Sequence, residues 1–177
     1  MNTLLLVVDI QQTLVDENPY EKEAFLRTVQ TWIQKFREHG MPILFVRHTE
    51  SEGDLSPSSP GWNIAREVDF RESDEVMNKR FNSAFKETLL DAYLQEREIH
   101  QIVVIGMQTE YCIDFTIKSA FDRGYRVLVP RGGNTTYDTQ YLNANTIIAH
   151  YQEAIWRWTC AKVDDSETLM EEIWKNE

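Results

Sequence analysis

Cysteine and long apolar runs are both scarce in this sequence, and each absence excludes a class of protein. Two cysteines occur among 177 residues, Cys112 and Cys160, which is too few for a disulfide framework. No segment reaches the ~20 consecutive apolar residues of a membrane span. The first apolar run, residues 3–8, is followed by Asp9 and the pair Gln11–Gln12, which does not suit the core of a signal peptide. We therefore predict a cytoplasmic protein that does not cross a membrane.

Basic side chains are also in deficit. The chain has 18 Lys and Arg against 29 Asp and Glu, which gives a formal net charge of -11 at pH 7. Such a charge repels the phosphates of nucleic acids and the headgroups of anionic membranes, so we expect a small-molecule partner instead. A length of 177 residues, without internal repeats or a linker, predicts one domain over residues 1–177.

Strand and helix patterns alternate along the chain. Apolar, β-branched runs predict strands, and apolar residues at a spacing of three or four predict helices. The predicted strands are Leu4–Asp9, Ile43–Val46, Glu75–Asn78, Ile102–Ile105, Tyr125–Val129 and Trp156–Val163, with a turn over Pro130–Asn134. The predicted helices are Glu21–His39, Ala84–Gln95 (Ser83 as N-cap, Leu89 buried), one that begins near Cys112, Thr139–Glu153, and Leu169–Trp174 with Ser166 as N-cap. This alternation predicts an α/β three-layer sandwich, in which helices cover both faces of a parallel sheet.

Cys112 lies just beyond a strand that should be buried on both faces. Ile102–Ile105 is followed by Gly106 and a short polar turn, and a helical pattern begins at Cys112. In open α/β sheets ligands bind at the carboxyl ends of strands, and the free N–H groups of a helix N-terminus favour a thiolate. Cys112 is therefore a candidate nucleophile. The alternative is a small cysteine that fills a gap in the core.

Two other side chains, Asp9 and Lys79, also stand at or just after strand ends. The carboxyl ends of parallel strands share one edge of a sheet, so both side chains can approach Cys112. A carboxylate can act as the base for a thiol, and a nearby cation favours the thiolate. The turn before Cys112 also offers backbone N–H groups to an oxyanion. Taken singly, Asp9 could equally be a helix cap and Lys79 a solvated surface group.

A long irregular segment, residues 50–71, interrupts the alternation. Loops of this length in compact domains are usually functional or disordered. Trp62 in this loop suggests a lid or a pocket wall, and Leu14, Tyr111 and Tyr137 are further candidates for a substrate pocket. Simple packing is the alternative for each of the four.

Three motifs together resemble the isochorismatase-like cysteine hydrolases, a family that includes nicotinamidases and N-carbamoyl amide hydrolases. The motifs are Val7-Val8-Asp9-Ile10-Gln11, Lys79 followed by Phe81-Asn82-Ser83-Ala84-Phe85, and Gly106-Met107-Gln108-Thr109-Glu110-Tyr111-Cys112-Ile113. They occur in the family's order, and the resemblance extends over nearly the whole chain. It implies a six-stranded, mainly parallel sheet within the three-layer sandwich.

The resemblance also implies roles for individual residues. Cys112 would be the nucleophile, Asp9 the general base and Lys79 the third member of a catalytic triad. A non-proline cis peptide is expected between Met107 and Gln108, and the backbone N–H groups of Gln108 and Cys112 would stabilise the oxyanion. The implied reaction is hydrolysis of a small amide, carbamoyl or related compound through a thioester. A homodimer or higher homo-oligomer is also implied.

Two segments depart from the family pattern. Nicotinamidases bind a metal through an Asp-x-His motif and a later His, whereas the segment Arg47-His48-Thr49 lacks that Asp and the next His is His100. We therefore predict no metal and no cofactor, with His48 as an ordinary loop residue. Residues 130–136 lack the acidic motif common in the family, which leaves the substrate open.

Three alternative functions fit parts of the sequence. Vinyl ether hydrolysis is the chemistry of isochorismatase itself. Residues 9–13 resemble the nucleophile loop of haloacid-dehalogenase-like phosphatases, although Gln11 replaces the second Asp and no late acidic pair suits magnesium. The third alternative is a catalytically idle member that binds or assembles. Loss of activity on thiol alkylation favours the cysteine hydrolase, whereas magnesium-dependent phosphate release favours the phosphatase.

Overall fold

A parallel sheet forms the centre of the molecule. The computed structural model describes residues 2–175, and within them the strands are β1 (Thr3–Val8), β2 (Ile43–His48), β3 (Glu75–Lys79), β4 (Gln101–Met107), β5 (Arg126–Pro130), β6 (Asn134–Thr135) and β7 (Lys162–Asp164). Six strands follow the order β3-β2-β1-β4-β5-β7, and β6 pairs with the carboxyl end of β4. Each of these pairings is parallel.

Helices connect the strands. They are α1 (Gln12–Asp16), α2 (Lys22–Glu38), α3 (Leu90–Glu96), α4 (Asp114–Asp122), α5 (Ala144–Ala149), α6 (Arg157–Thr159) and α7 (Ser166–Trp174), with a short 3₁₀ turn at Pro60–Trp62. A π-helical turn, Thr109–Ile113, leads into α4, and another, His150–Trp156, joins α5 to α6. In the described part of the chain, no helix combines the length and the apolar character needed to span a bilayer.

The sheet is buried on both faces, which explains its nearly continuous apolar strands. Along β1, Leu4 and Leu6 face one core and Leu5 and Val7 face the other, each at most 1% exposed. The first core contains side chains from α3, α4 and the α5–α6 segment, including Leu90, Ile117 and Trp156. The second contains side chains from α2 and α7, including Val29, Trp32 and Leu169. The predicted three-layer sandwich is confirmed.

The predicted strand count of six is one too low, because β6 was assigned to a turn. The Gly133 N–H donates to the carbonyl of Pro130 (2.9 Å) and closes that turn. The Gly106 N–H donates to the carbonyl of Gly133 (2.9 Å), which brings the following two residues beside β4. A strand of two residues is too short for side-chain alternation to reveal it.

The strand predicted over Trp156–Val163 is also wrong in its first half. The helical segment continues to Thr159, and only Lys162–Asp164 is a strand. Trp156 is fully buried and its indole N–H donates to Asp114 Oδ1 (2.8 Å), which fixes this helix against α4. Trp156 therefore belongs to a helical segment that packs on another helix, and not to a strand.

The helix predicted over Ala84–Gln95 begins only at Leu90. Glu87 adopts a left-handed φ of 55°, which interrupts helical geometry before that point. Ser83 does not cap α3, since its hydroxyl accepts the backbone N–H two residues later in a separate turn (3.2 Å). Leu89, predicted to be buried, is 76% exposed because it precedes the helix.

The last helix begins earlier than predicted. Asp165, rather than Ser166, occupies the N-cap position of α7. The Ser166 hydroxyl accepts a hydrogen bond from the indole N–H of Trp32 (3.0 Å) and so ties α7 to α2.

Candidate active site

Three strand ends place Asp9, Lys79 and Cys112 at the same edge of the sheet. Asp9 directly follows β1, Lys79 is the last residue of β3, and Cys112 lies in the π-helical turn after β4. On one side of β1, Val8 is paired with Gly106 of β4. On the other side, β2 lies between β1 and β3 and is aligned with β3. The side chains therefore converge although they are far apart in sequence.

Gly106 allows β4 to lie close to β1 at this edge. Its φ is +135°, and a Cβ atom built on it would lie only 1.9 Å from the carbonyl oxygen of Val8. Any side chain at this position would push apart the two strands that carry Asp9 and the turn of Cys112.

Lys79 connects the other two residues directly. Its Nζ atom lies 2.6 Å from Asp9 Oδ2 and 3.1 Å from Cys112 Sγ. The side chains of Lys79 and Asp9 are 0% and 2% exposed. Charged groups are buried this completely only when they are paired, so the ammonium and the carboxylate hold each other in place.

The ammonium of Lys79 has more acceptors within reach than it has protons. Besides Asp9 and Cys112, it lies 3.1 Å from the carbonyl oxygen of Phe81 and 3.1 Å from His48 Nδ1. An ammonium has three N–H donors, and here four acceptors surround it. The ammonium therefore cannot donate a separate hydrogen bond to each of the four at the same time.

The thiol of Cys112 is neutral at rest. Burial, followed by the nearby Asp9 carboxylate, raises the pKa of Cys112 to about 12, although Lys79 acts in the opposite direction. From the sequence, Lys79 and the helix N-terminus should favour the thiolate and Asp9 should oppose it; in the structure, burial adds to the effect of Asp9 and outweighs Lys79. A reaction that uses this thiol therefore needs a base that removes its proton during attack.

We expect the rate of iodoacetamide labelling at Cys112 to rise about tenfold per pH unit between pH 7 and pH 9, because the thiolate fraction grows in this way far below the pKa. Asp9→Asn removes the carboxylate that raises the pKa, so its profile should lie at lower pH. Labelling rates determined by mass spectrometry at each pH give the profiles of the wild type and of Asp9→Asn. A plateau near neutral pH in the wild type would contradict the neutral thiol.

Asp9 is placed to receive that proton. Neither of its carboxylate oxygens accepts a hydrogen bond of good geometry from another described residue, although the ion pair with Lys79 holds Oδ2. Its backbone adopts a left-handed φ of 54°, a conformation that Asp tolerates better than most residues. The carboxylate thus keeps lone pairs free for an incoming proton.

His48 belongs to the site, although the sequence argument treated it as an ordinary loop residue. It ends β2, and the strand register pairs it with Lys79. The side-chain amide of Gln11, fully buried, accepts from the His48 N–H (2.8 Å) and donates to the carbonyls of His48 (3.0 Å) and Trp62 (2.9 Å). Burial, and then Lys79, lower the pKa of His48, so its ring is neutral at pH 7. No local sequence pattern signals this position, because the alignment of His48 with Lys79 is a contact between two strands.

Asp9, His48 and Cys112 are the one group of potential metal ligands found among the described residues, with ligand atoms within 4.8 Å of one another. The Lys79 ammonium contacts all three side chains and already supplies a cation to them. A divalent ion would have to displace this buried ammonium or lie against it. The three residues therefore do not fit a metal ion.

We expect hydrolysis to survive prolonged chelation and desalting, because the ammonium of Lys79 supplies the local positive charge. Activity is measured before and after treatment, and again after zinc or manganese is added. Activity that disappears and returns with a divalent ion would show that a metal replaces the ammonium.

A cavity of about 160 Å³ opens above these groups. The residues that line it are Asp9, Leu14, His48, Glu50, Leu55, Asn82, Met107, Gln108, Tyr111 and Cys112. Two of the four predicted pocket residues, Leu14 and Tyr111, are therefore on its wall. Trp62 and Tyr137 are not among the lining residues, because both are held in packing contacts. The Trp62 ring lies 3.6 Å from the Arg47 guanidinium and its N–H donates to Thr49 (3.0 Å), while the Tyr137 hydroxyl donates to the carbonyl of Leu14.

Gln108 borders the cavity just before the turn of Cys112. The peptide bond between Met107 and Gln108 is cis, at the position that the family resemblance implies. The backbone N–H of Gln108 donates to no other described residue, whereas its carbonyl accepts from the N–H groups of Tyr111 and Ile113 (3.2 Å each). This N–H is therefore free to donate to a bound ligand.

A thiol beside a buried ammonium–carboxylate pair, at the carboxyl edge of a parallel sheet, is the arrangement of a cysteine hydrolase. The sequence model described as the isochorismatase domain matches residues 3–156, and the chain belongs to the isochorismatase family. The resemblance seen in the sequence is confirmed, and the dehalogenase-like phosphatase alternative is wrong.

Individual relatives agree with this assignment. Streptothricin hydrolase of Streptomyces noursei is 28% identical over 137 residues, which are 76% of this chain and 54% of the relative. The chain thus spans about half the length of that relative. Nicotinamidase 3 of Arabidopsis thaliana is 27% identical over 157 residues, 77% of this chain and 74% of the relative. An isochorismatase family protein of known crystal structure has 32% sequence identity to this chain. The two structures superpose with a TM-score of 0.84 over 93% of this chain and 98% of that protein.

Proposed function

We propose that this hydrolase cleaves the C–N bond of a small amide or carbamoyl compound through a thioester on Cys112. The observation that carries the proposal is the position of the Lys79 ammonium, which contacts both Asp9 (2.6 Å) and the Cys112 thiol (3.1 Å). This contact keeps a nucleophile and a base next to each other in a site that excludes most solvent.

In the first half of the proposed reaction, Asp9 accepts the proton of the Cys112 thiol as Sγ attacks the carbonyl carbon. The backbone N–H groups of Gln108 and Cys112 stabilise the resulting oxyanion. Protonated Asp9 then donates to the departing nitrogen, the C–N bond breaks, and ammonia or an amine leaves. The acyl group remains on Cys112 as a thioester.

In the second half, water takes the place of the leaving group. Asp9 removes a proton from the water as its oxygen attacks the thioester carbon, and the same two N–H groups stabilise the oxyanion. The C–S bond then breaks, and Cys112 recovers its proton from Asp9. Lys79 balances the negative charge as it moves between Asp9 and Cys112.

The names of two relatives and the size of the site support this substrate class. Streptothricin hydrolase and a nicotinamidase are both similar to this chain over about three quarters of its length. A cavity of about 160 Å³ admits only a small compound or the reacting end of a larger one. We therefore place the scissile carbonyl in a small primary amide or carbamoyl group.

A substrate screen tests the proposal. Ammonia release is measured with small primary amides and carbamoyl compounds, and isochorismate is included to detect vinyl ether cleavage. Acid-quenched enzyme is then analysed by intact-protein mass spectrometry for the acyl group on Cys112. Ammonia release together with an acylated Cys112 supports the proposal. Cleavage of isochorismate alone, without an acylated cysteine, favours the vinyl ether alternative.

A further inference from the structure

Glu50 holds a carboxylate at the mouth of the cavity that contains Cys112. Its backbone is fixed from both sides, because the N–H of Thr49 donates to the carbonyl of Lys79 (2.8 Å) and the N–H of Glu50 donates to the carbonyl of Leu55 (3.0 Å). The side chain lines the cavity and is 53% exposed. It therefore faces both the solvent and any compound that enters.

Nothing described around the cavity neutralises this carboxylate. The basic group nearest to it in an ion-pair contact is His48 Nε2, at 3.8 Å, which is too long for a direct hydrogen bond. The His48 ring is neutral at pH 7, since burial and Lys79 lower its pKa. The negative charge of Glu50 is therefore left for a ligand.

Two cations near this edge of the sheet, Lys79 and Arg47, are already engaged. Lys79 is paired with Asp9 (2.6 Å) beneath the cavity. Arg47 lies over the ring of Trp62 (3.6 Å) and donates to Asn78 Oδ1 (3.1 Å). None of the described residues that line the cavity is Lys or Arg. A carboxylate on a substrate would thus meet like charge at the mouth and no cation inside.

We propose that Glu50 selects substrates by charge, so that the site prefers amides that carry an ammonium or another cationic group and disfavours those that carry a carboxylate. The net charge of -11 acts in the same direction at longer range, since it draws cations toward the protein. This inference rests on the proposed amide hydrolysis for its biological meaning. The test of the inference does not depend on amide hydrolysis, because the charge preference of the cavity mouth can be measured from the labelling of Cys112 alone.

The first experiment compares how fast Cys112 reacts with aminoethyl methanethiosulfonate, a cation, and with sulfonatoethyl methanethiosulfonate, an anion of similar size. Both reagents react with the same thiolate, which attacks their sulfur and releases methanesulfinate. The ratio of the two rates is therefore independent of the thiol pKa. Mass spectrometry separates Cys112 from Cys160, the other cysteine of the chain.

Variants at Glu50 change this ratio in a predicted direction. Glu50→Gln keeps the shape of the side chain and should lower the cation-to-anion ratio about fivefold, the effect of one partly exposed charge on another. Glu50→Lys should lower it about 25-fold, because the charge is reversed rather than removed. Glu52→Gln is the matched control: it removes the same charge from an exposed position nearby that does not line the cavity. Its ratio should stay within about twofold of the wild type.

The second experiment measures kcat/KM for three amides of equal length: β-alaninamide, butanamide and succinamate, which are cationic, neutral and anionic. In the wild type, kcat/KM should be highest for the cationic amide, lower for the neutral amide and lowest for the anionic amide. In Glu50→Lys, the anionic amide should have a higher kcat/KM than the cationic amide.

The outcomes separate the two proposals. An equal fall in the labelling ratio for Glu52→Gln and Glu50→Gln, or no fall for either, overturns selection by Glu50, whatever the protein hydrolyses. Equal turnover of all three amides also overturns it and leaves amide hydrolysis standing. A labelling ratio that responds to Glu50 alone, without turnover of any amide, supports selection by Glu50 and counts against amide hydrolysis.

Discussion

Cys112→Ser is expected to reduce kcat/KM for amide hydrolysis by at least about a thousandfold, because loss of the proposed nucleophile removes the covalent route altogether. The change replaces one sulfur atom by oxygen, and the hydroxyl can still accept from the Lys79 ammonium, which now lies 3.1 Å from Sγ. The free energy of unfolding should therefore change by less than about 1 kcal/mol. Steady-state kinetics and thermal unfolding of the same preparation measure both quantities.

Cys160→Ser is the matched control for this prediction. Cys160 is buried, whereas Cys112 is partly buried; Cys160 precedes β7 at the opposite edge of the sheet and lies in the core beside Trp156. Its replacement should leave kcat/KM within about twofold of the wild type, at a modest loss of stability. If Cys112→Ser lowered activity and the unfolding temperature together, the thiol would be a packing residue that fills a gap in the core, which is the alternative considered from the sequence.

Lys79→Met is expected to lower the free energy of unfolding by about 3–5 kcal/mol near neutral pH, because it leaves the Asp9 carboxylate buried without a partner. The two side chains are almost fully buried, with Nζ and Oδ2 2.6 Å apart, so little solvent screens the loss. Hydrolysis should become undetectable. Iodoacetamide labelling of Cys112 should slow as well, since the Asp9 charge that opposes the thiolate is no longer balanced.

The double variant Asp9→Asn/Lys79→Met distinguishes a lost charge pair from lost packing. It removes both charges, so part of the stability lost in Lys79→Met should return. Denaturant unfolding of the wild type, the two single variants and the double variant gives the coupling free energy between the two residues. A double variant less stable than either single variant would show that the two side chains act independently. Unchanged labelling of Cys112 in Lys79→Met would show that the three residues do not form one site.

The parts of this site that could be predicted from the sequence all depend on local patterns. Asp9, Lys79 and Cys112 each follow a run of strand-forming residues, and parallel strands must end at a common edge. His48 and Glu50 could not be placed in this way. Their proximity to Cys112 depends on which strand pairs with β2 and in what register, and the alignment of His48 with Lys79 is a long-range contact that no local pattern contains.

The errors in the fold have a related cause. Residues 84–89 have the apolar spacing of a helix, but the left-handed Glu87 interrupts it and Leu89 faces solvent. Trp156 belongs to an aromatic segment that favours a strand, yet its hydrogen bond to Asp114 and its burial against α4 stabilise a helix. In both places tertiary contacts or a single backbone angle outweigh local preference. The aromatic candidates Trp62 and Tyr137 show the same limit, because each satisfies its polar group away from the cavity.

The raised pKa of Cys112 also bears on how long the protein stays intact in an oxidising medium. Peroxide attacks thiolates and begins the series that leads through sulfenic acid to irreversible sulfinic and sulfonic acids. A thiol with a pKa of about 12 is almost never ionised at neutral pH, and this one is largely shielded from solvent. The sulfur of Cys112 thus becomes strongly nucleophilic only when a compound is bound and a neighbouring base removes the thiol proton. We therefore expect Cys112 to be oxidised by peroxide more slowly than the low-pKa, exposed cysteines of redox sensors.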